Sequence, residues 1–240
     1  LFVLNNTGIN DHLNGIEKPV SFVIKELQKT AEIVHSLAKW KRFALAKYDF
    51  QIGEGIYTDM NAIRTDEVFT NFHSIYVDQW DWERVLTKED RNLDYLKSIV
   101  NKIYDSIRKT EQAVCEKFSA LQKPFLPEEI CFVHTEELAE KYPNMTPKER
   151  ENEICQEKGA VFLIGIGGEI KDGKPHDGRA ADYDDWSSET GNGKKGLNGD
   201  ILVWNPLLEC AFEISSMGIR VDKDALLKQL KIRNEESKKE

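Results

Sequence analysis

The chain has no C-x-x-C pair. Its four cysteines, Cys115, Cys131, Cys155 and Cys210, are widely spaced, so neither a disulfide framework nor a zinc knuckle is supported, and a reducing cytoplasm fits best. The five histidines make no H-E-x-x-H, which leaves a histidine metal site with little support. No apolar run approaches a membrane span, and the opening Leu1-Phe-Val-Leu-Asn-Asn6 lacks the basic leader and long apolar centre of a signal peptide. Pro- or Ser-rich linkers and internal repeats are missing too, so the 240 residues are expected to form one domain. A surplus of basic charge is lacking: 33 Lys and Arg stand against 42 Asp and Glu, and the net charge of −9 argues against a general nucleic-acid surface, while a small anionic substrate remains open through local cations. Neither G-x-x-x-x-G-K-[ST] nor G-x-G-x-x-G is completed, and Gly165-Ile-Gly-Gly168 is read as a strand end.

What is present centres on Ile63-Arg64-Thr65-Asp66-Glu67 and on the stretch from His73 to Glu83. A β-strand sends successive side chains to opposite faces. His73, Ile75, Val77, Gln79, Asp81 and Glu83 therefore share one face, and Ser74, Tyr76, Asp78, Trp80 and Trp82 the other. Large aromatics on the second face make the polar end of the first look like a pocket floor, although acids of an edge strand that simply face water would give the same pattern. Arg64 falls on the expected partner strand, where its planar fork suits a carboxylate or phosphate.

Along the chain, 20–25 and 32–35 read as β-rich, and Ser36 is placed to cap a helix with Leu37, Trp40, Ala44 and Leu45 inward. Apolar residues Leu93, Leu96, Val100, Ile103, Ile107, Val114 and Phe118 recur at helical spacing and predict a long helix from Asn92 to about Ala120, lying on a sheet. Thr146-Pro-Lys-Glu149 is a capping box, and Gly159 stands at the expected helix stop. A buried strand over 160–165, a tight turn at Asp172-Gly173 and two strands over 200–204 and 211–221 complete the pattern. Without a βαβ rhythm, this predicts an α+β fold with a largely antiparallel sheet flanked by helices.

Lys39, Lys41 and Arg42 could be a solvated helix face, with at most one of the two lysines turned into a pocket. Asp200 and Glu213, near Ser215, Ser216 and Arg220, could hold Mg²⁺ with substrate phosphates, or form a structural salt-bridge network. Asp11, Asp81 and Asp184 suit an ammonium group. Taken together these groups point to a site for ATP, Mg²⁺ and an amino acid.

The runs Val34-His-Ser-Leu-Ala-Lys-Trp-Lys-Arg42, Gly53-Glu-Gly-Ile-Tyr57, Ile63-Arg-Thr-Asp-Glu67, Tyr76-Val-Asp-Gln-Trp-Asp-Trp-Glu-Arg84, Asp182-Tyr-Asp-Asp-Trp186, Gly196-Leu-Asn-Gly-Asp-Ile-Leu-Val-Trp-Asn205 and Phe212-Glu-Ile-Ser-Ser-Met-Gly-Ile-Arg-Val221 closely resemble the ammonia-dependent asparagine synthetases, or aspartate-ammonia ligases. The resemblance implies a homodimer built like the catalytic domain of aspartyl- and asparaginyl-tRNA synthetases. It also implies conversion of L-aspartate, ammonia and ATP to L-asparagine, AMP and pyrophosphate through a β-aspartyl-adenylate. Carried residue by residue, it places Arg64 and Lys41 at the α-phosphate, Asp200 and Glu213 at Mg²⁺ and Ser216 at the nucleotide. Asp11, Ser36, Gln79, Asp81, Asp184, Ser215 and Arg220 would enclose aspartate, with Asp11 drawing in ammonium. Simple alternation sets Glu213 and Ser215 against Ser216 and Arg220, so a bulge is expected near Met217-Gly218.

The resemblance further implies an N-terminal helix with a Pro-containing first motif and a C-terminal Gly-rich segment with an Arg for the adenine. Neither is found in these residues, which start at Leu1 and stop in Glu235-Glu-Ser-Lys-Lys-Glu240. The expectation is a partial catalytic domain with weak ATP binding by itself. Two alternatives stand beside this reading: an aminoacyl-tRNA synthetase core, which the acidic balance and short length oppose, and a catalytically silent relative serving as a binding or dimerisation module. Glutamine is not expected as nitrogen donor, since no cysteine sits in a nucleophile setting.

Overall fold

The structure is a computed structural model that describes residues 1–11, 13, 17–121 and 123–234, so His12 and the charged run 235–240 lie outside it. The chain divides into two compact units, 1–88 and 89–240.

In the first unit, strands β1 (Phe2–Leu4), β2 (Ser21–Ile24) and β3 (Lys29–Ile33) form an antiparallel sheet with β3 in the middle. Helix α1 (Ala38–Lys47) follows. Its boundary residue is Leu37 rather than Ser36, but the Ser36 hydroxyl still accepts the Ala38 N–H at 3.2 Å, as a cap would. Strands β4 (Gly55–Ile63) and β5 (Tyr76–Arg84) make the expected hairpin, β5 beginning at Tyr76 rather than His73. Period-two alternation holds throughout it. Gln79 and Asp81 are half-buried and Glu83 is buried, while the aromatic side faces out, with Trp80 81% exposed. Val34, Leu37, Met60 and Ala62 form the core beneath, joined by Trp40.

In the second unit, β6 (Cys131–His134), β7 (Ala160–Ile164), β10 (Asn198–Asn205) and β11 (Cys210–Gly218) form a sheet in the order β11-β10-β7-β6; only β6 and β7 run parallel. Helix α2 (Leu93–Lys117) is capped by Asn92 and carries Lys97 over the Phe132 ring of β6. It buries Leu96, Ile99, Val100 and Tyr104, but Val114 and Phe118, expected inward, are 39% and 53% exposed. Phe118 lies past the last turn in extended backbone, where helical spacing no longer aims it at the core. Helix α3 (Thr135–Lys141) was not foreseen. Helix α4 (Pro147–Lys158) has the Thr146–Glu149 capping box and stops at Gly159, as expected. Its Ile154 and Cys155 pack with Leu138, Val161, Leu163 and Leu202. A small hairpin, β8 (Glu189–Gly191) and β9 (Lys194–Lys195), occupies the Gly-rich stretch, and α5 (Lys223–Arg233) closes the described chain. Gly165 ends β7 at a φ of +83°, and a Cβ there would sit 2.6 Å from His134 Nε2. Among the described residues, no helix is long and apolar enough to cross a membrane.

Candidate active site

Each unit gathers part of the expected residue set. In the first, the loop before β2 and the approach to α1 are tied through Asp11. Ser36 Oγ donates to Asp11 Oδ2 at 3.0 Å, Leu13 N–H donates to Oδ1 at 3.1 Å, and the His35 ring donates from Nδ1 to the Asp11 carbonyl at 3.2 Å. Arg64, just past β4, reaches the His35 carbonyl at 3.4 Å. Burial holds the His35 imidazole below its ordinary pKa, with the Arg64 charge adding to the effect, so the ring is neutral. Its Nε2 is then an acceptor, and it is buried with no hydrogen-bond partner among the described residues.

Of the three cations on α1, the fold selects Lys41 and buries it completely. Its ammonium donates to Asp81 Oδ2 at 2.5 Å and to Thr58 Oγ1 at 3.3 Å. Thr58 and Asp81 are cross-strand partners, as are Met60 and Gln79, so Gln79 stands beside Asp81 on the inward face. Arg64 Nε and Gln79 Oε1 are likewise buried without partners among the described residues. Buried polar atoms are nearly always satisfied. Among the described residues, His35, Arg64 and Gln79 thus each keep a buried polar atom free for a ligand, one able to donate and two to accept.

In the second unit, Asp200 on β10 pairs with Ser216 on β11. The predicted bulge exists but lies upstream of Met217-Gly218: Ser215 opposes Ile201 and Glu213 opposes Leu202, leaving Ile214 without a partner. Because partners share a side of the sheet, Glu213 joins Asp200 and Ser216, and Ser215 turns to the other side with Ile201. The structure therefore brings together three of the four and separates Ser215. Arg220 pairs with Asp184 through NH1, donates to Tyr183 OH at 2.6 Å and stacks on that ring 3.6 Å from its centroid. Gly218 is what permits this approach: a Cβ there would lie 2.9 Å from Asp184 Cγ and 2.6 Å from Asn198 Cβ.

Two functional residues escaped the sequence. Arg179 donates from NH2 to both Asp200 oxygens at 2.5 and 2.6 Å and to Ser216 Oγ at 3.0 Å. Gln229 on α5 is buried and donates to the carbonyls of Ala181 and Asp184, each at 2.9 Å, while accepting the Trp186 N–H, which fixes the loop bearing Asp184. Asp222, which caps α5, was the available signal for that helix.

Glu213 keeps an exposed flank, yet protein crowding around its carboxyl, together with the Asp200 charge, pushes it up to about 7. No ion pair forms to Glu213 among the described residues. Asp200 and Glu213, on one side of neighbouring strands, are oxygen donors of the kind a hard divalent cation takes when it also binds substrate phosphates. No group of three or more metal-ligating side chains forms among the described residues.

Compared with solved structures, the chain is similar to Entamoeba histolytica asparaginyl-tRNA synthetase in complex with asparaginyl-adenylate, with a TM-score of 0.61 and 14% identity over 96% of this chain and 49% of that one. An aspartyl-tRNA synthetase from the same organism matches with a TM-score of 0.56 and 15% identity over 81% of this chain and 40% of that one. The chain thus spans about half or less of each synthetase, and its fold is that of the class II aminoacyl-tRNA synthetase catalytic domain. Residues 1–240 match the aspartate-ammonia ligase (AsnA) family, and the chain belongs to that family. Curated aspartate–ammonia ligases of Bacteroides thetaiotaomicron and Parabacteroides distasonis are 59% and 58% identical to it, over 99% and 100% of this chain and 69% and 70% of their own lengths.

Proposed function

We infer that this chain is an aspartate-ammonia ligase that makes L-asparagine from L-aspartate, ammonia and ATP, releasing AMP and pyrophosphate. The observation that carries the inference is the match along its whole length, at 59% identity, to enzymes bearing that name.

A free carboxylate resists attack by ammonia, so the β-carboxylate of aspartate first attacks the α-phosphorus of ATP. The bond from that phosphorus to the bridging oxygen breaks and pyrophosphate leaves. Ammonia then attacks the β-carbonyl carbon of the adenylate, the carbon–oxygen bond breaks, AMP departs and a proton is lost. Such chemistry asks a protein for positioning and charge neutralisation. Arg64, with a buried donor unused, suits the α-phosphate. Lys41 holds Asp81 rather than reaching freely for a phosphate; Asp81 and Gln79 then present oxygens to the substrate ammonium. Arg220, stacked and held by Asp184, suits a carboxylate of aspartate. Asp11, which accepts from the Ser36 hydroxyl, would attract ammonium and accept its proton. Asp200 and Glu213 would hold Mg²⁺, which when bound offsets triphosphate charge. Ser216 belongs to the nucleotide, and Ser215 would take part only through its backbone.

In this reading the chain is a catalytic domain, part of a homodimer in the cytoplasm, without nucleic acid or membrane partners. A synthetase core is the second reading, favoured by the likeness to asparaginyl-tRNA synthetase. Incubation of the protein with labelled aspartate, ammonium and ATP decides between them. Labelled asparagine without tRNA supports the ligase, and activity only with tRNA supports the synthetase.

A further inference from the structure

Arg179 sits where a cation is needed, yet it belongs to no sequence motif read above. Its arm rests against Gly167, where a Cβ would lie 2.6 Å from Arg179 Cβ, so the glycine makes room for it. One terminal nitrogen spans both Asp200 oxygens and reaches Ser216 across the ladder. The other donates to the Gly178 carbonyl at 3.0 Å, and Nε is buried with no partner among the described residues.

Two physical facts follow. First, the guanidinium takes up one lone pair on each Asp200 oxygen, and its charge repels a divalent ion that approaches the same carboxylate. Second, a guanidinium does not discharge by losing a proton, so it leaves Asp200 only for another anion. The triphosphate is the anion this reaction supplies, and Nε is a donor already waiting.

We propose that Arg179 is a positioning residue: it holds the cation place at Asp200 and Ser216 in the nucleotide-free protein and yields it when ATP enters, so that divalent metal binds together with ATP and not ahead of it. The inference rests on the assignment of Asp200 and Glu213 to the metal, and its test separates the two.

Mn²⁺ binding, followed by electron paramagnetic resonance, is measured for wild type, Arg179→Gln and Arg179→Lys without nucleotide and with a non-hydrolysable ATP analogue, the fold being checked by circular dichroism. Wild type takes up Mn²⁺ weakly alone. Arg179→Gln binds Mn²⁺ alone about tenfold tighter, the scale of coupling between two ligands of one site. Arg179→Lys, whose single ammonium cannot bridge as a fork does, falls between them and serves alone should the Gln variant fail to fold. Adding Asp200→Asn to either variant removes the gain. Folded variants that bind Mn²⁺ no tighter than wild type overturn the proposal for Arg179. If instead Asp200→Asn and Glu213→Gln in the otherwise native protein leave Mn²⁺ binding with nucleotide unchanged, the metal assignment itself fails.

Discussion

Lys41 Nζ lies 2.5 Å from Asp81 Oδ2, with the lysine side chain fully buried and the aspartate 13% exposed. The lysine comes from a helix and the aspartate from the hairpin packed on it, so the pair joins two elements as well as two charges. Removing one partner strands the other in protein. Asp81→Ala should therefore cost about 3–5 kcal/mol of unfolding free energy, measured by urea denaturation, and Lys41→Met together with Asp81→Leu should recover part of it. A loss below about 1 kcal/mol, the scale of an exposed pair, would contradict the buried assignment.

Gly218 gives a second test. Its missing side chain leaves space that Asp184 and Asn198 occupy, and Gly218→Ala must displace one or both. The expected outcome is a rise of about tenfold in KM for aspartate, read as lost binding, with a smaller change for ATP. Equal effects on both substrates would argue that Asp184 and Arg220 do not serve the amino acid.

The cysteines should divide into two classes. Cys155 is wholly buried, and burial pushes its thiol up to about 12, whereas Cys115, Cys131 and Cys210 are half-buried. Thiolate is the reactive form. A disulfide dye at pH 8 should leave Cys155 unlabelled in the native protein, and peptide mapping should find it labelled once denaturant is added. Native labelling of Cys155 would contradict the packing of α4 on the sheet.

Acid sensitivity follows from His134, which burial holds below the ordinary imidazole value. Its Nε2 donates to the Lys195 carbonyl at 2.8 Å and its Nδ1 accepts the Glu136 N–H at 3.1 Å. The unfolded chain binds a proton near pH 6.5 that the folded one resists, so stability is whole above that pH and falls as the pH drops below it. His134→Gln should narrow the difference in Tm between pH 8 and pH 5.5. An unchanged difference would assign acid sensitivity elsewhere.

What the sequence disclosed was mostly local. The period-two pattern from Tyr76 to Glu83, the box at Thr146 and Glu149 and the turn at Gly173 are each decided within a few residues, and each is present. Lys41 could be narrowed to one of a cluster but not chosen, because its burial depends on Asp81 and Thr58 of the hairpin. The bulge on β11 was expected at a glycine. It falls instead at Ile214, where pairing with β10 and not local backbone freedom sets the register. Arg179 carried no local signal at all, since its meaning comes from Asp200 and Ser216 on two distant strands.

The central claim is that aspartate is activated as an adenylate before ammonia attacks. Aspartate labelled with ¹⁸O in its β-carboxylate, incubated with the protein, ATP and ammonium, tests it through mass spectrometry of the products. The account predicts that one labelled oxygen passes to AMP and none to pyrophosphate, with asparagine formed in equal amount. Release of ADP with label in inorganic phosphate would contradict it.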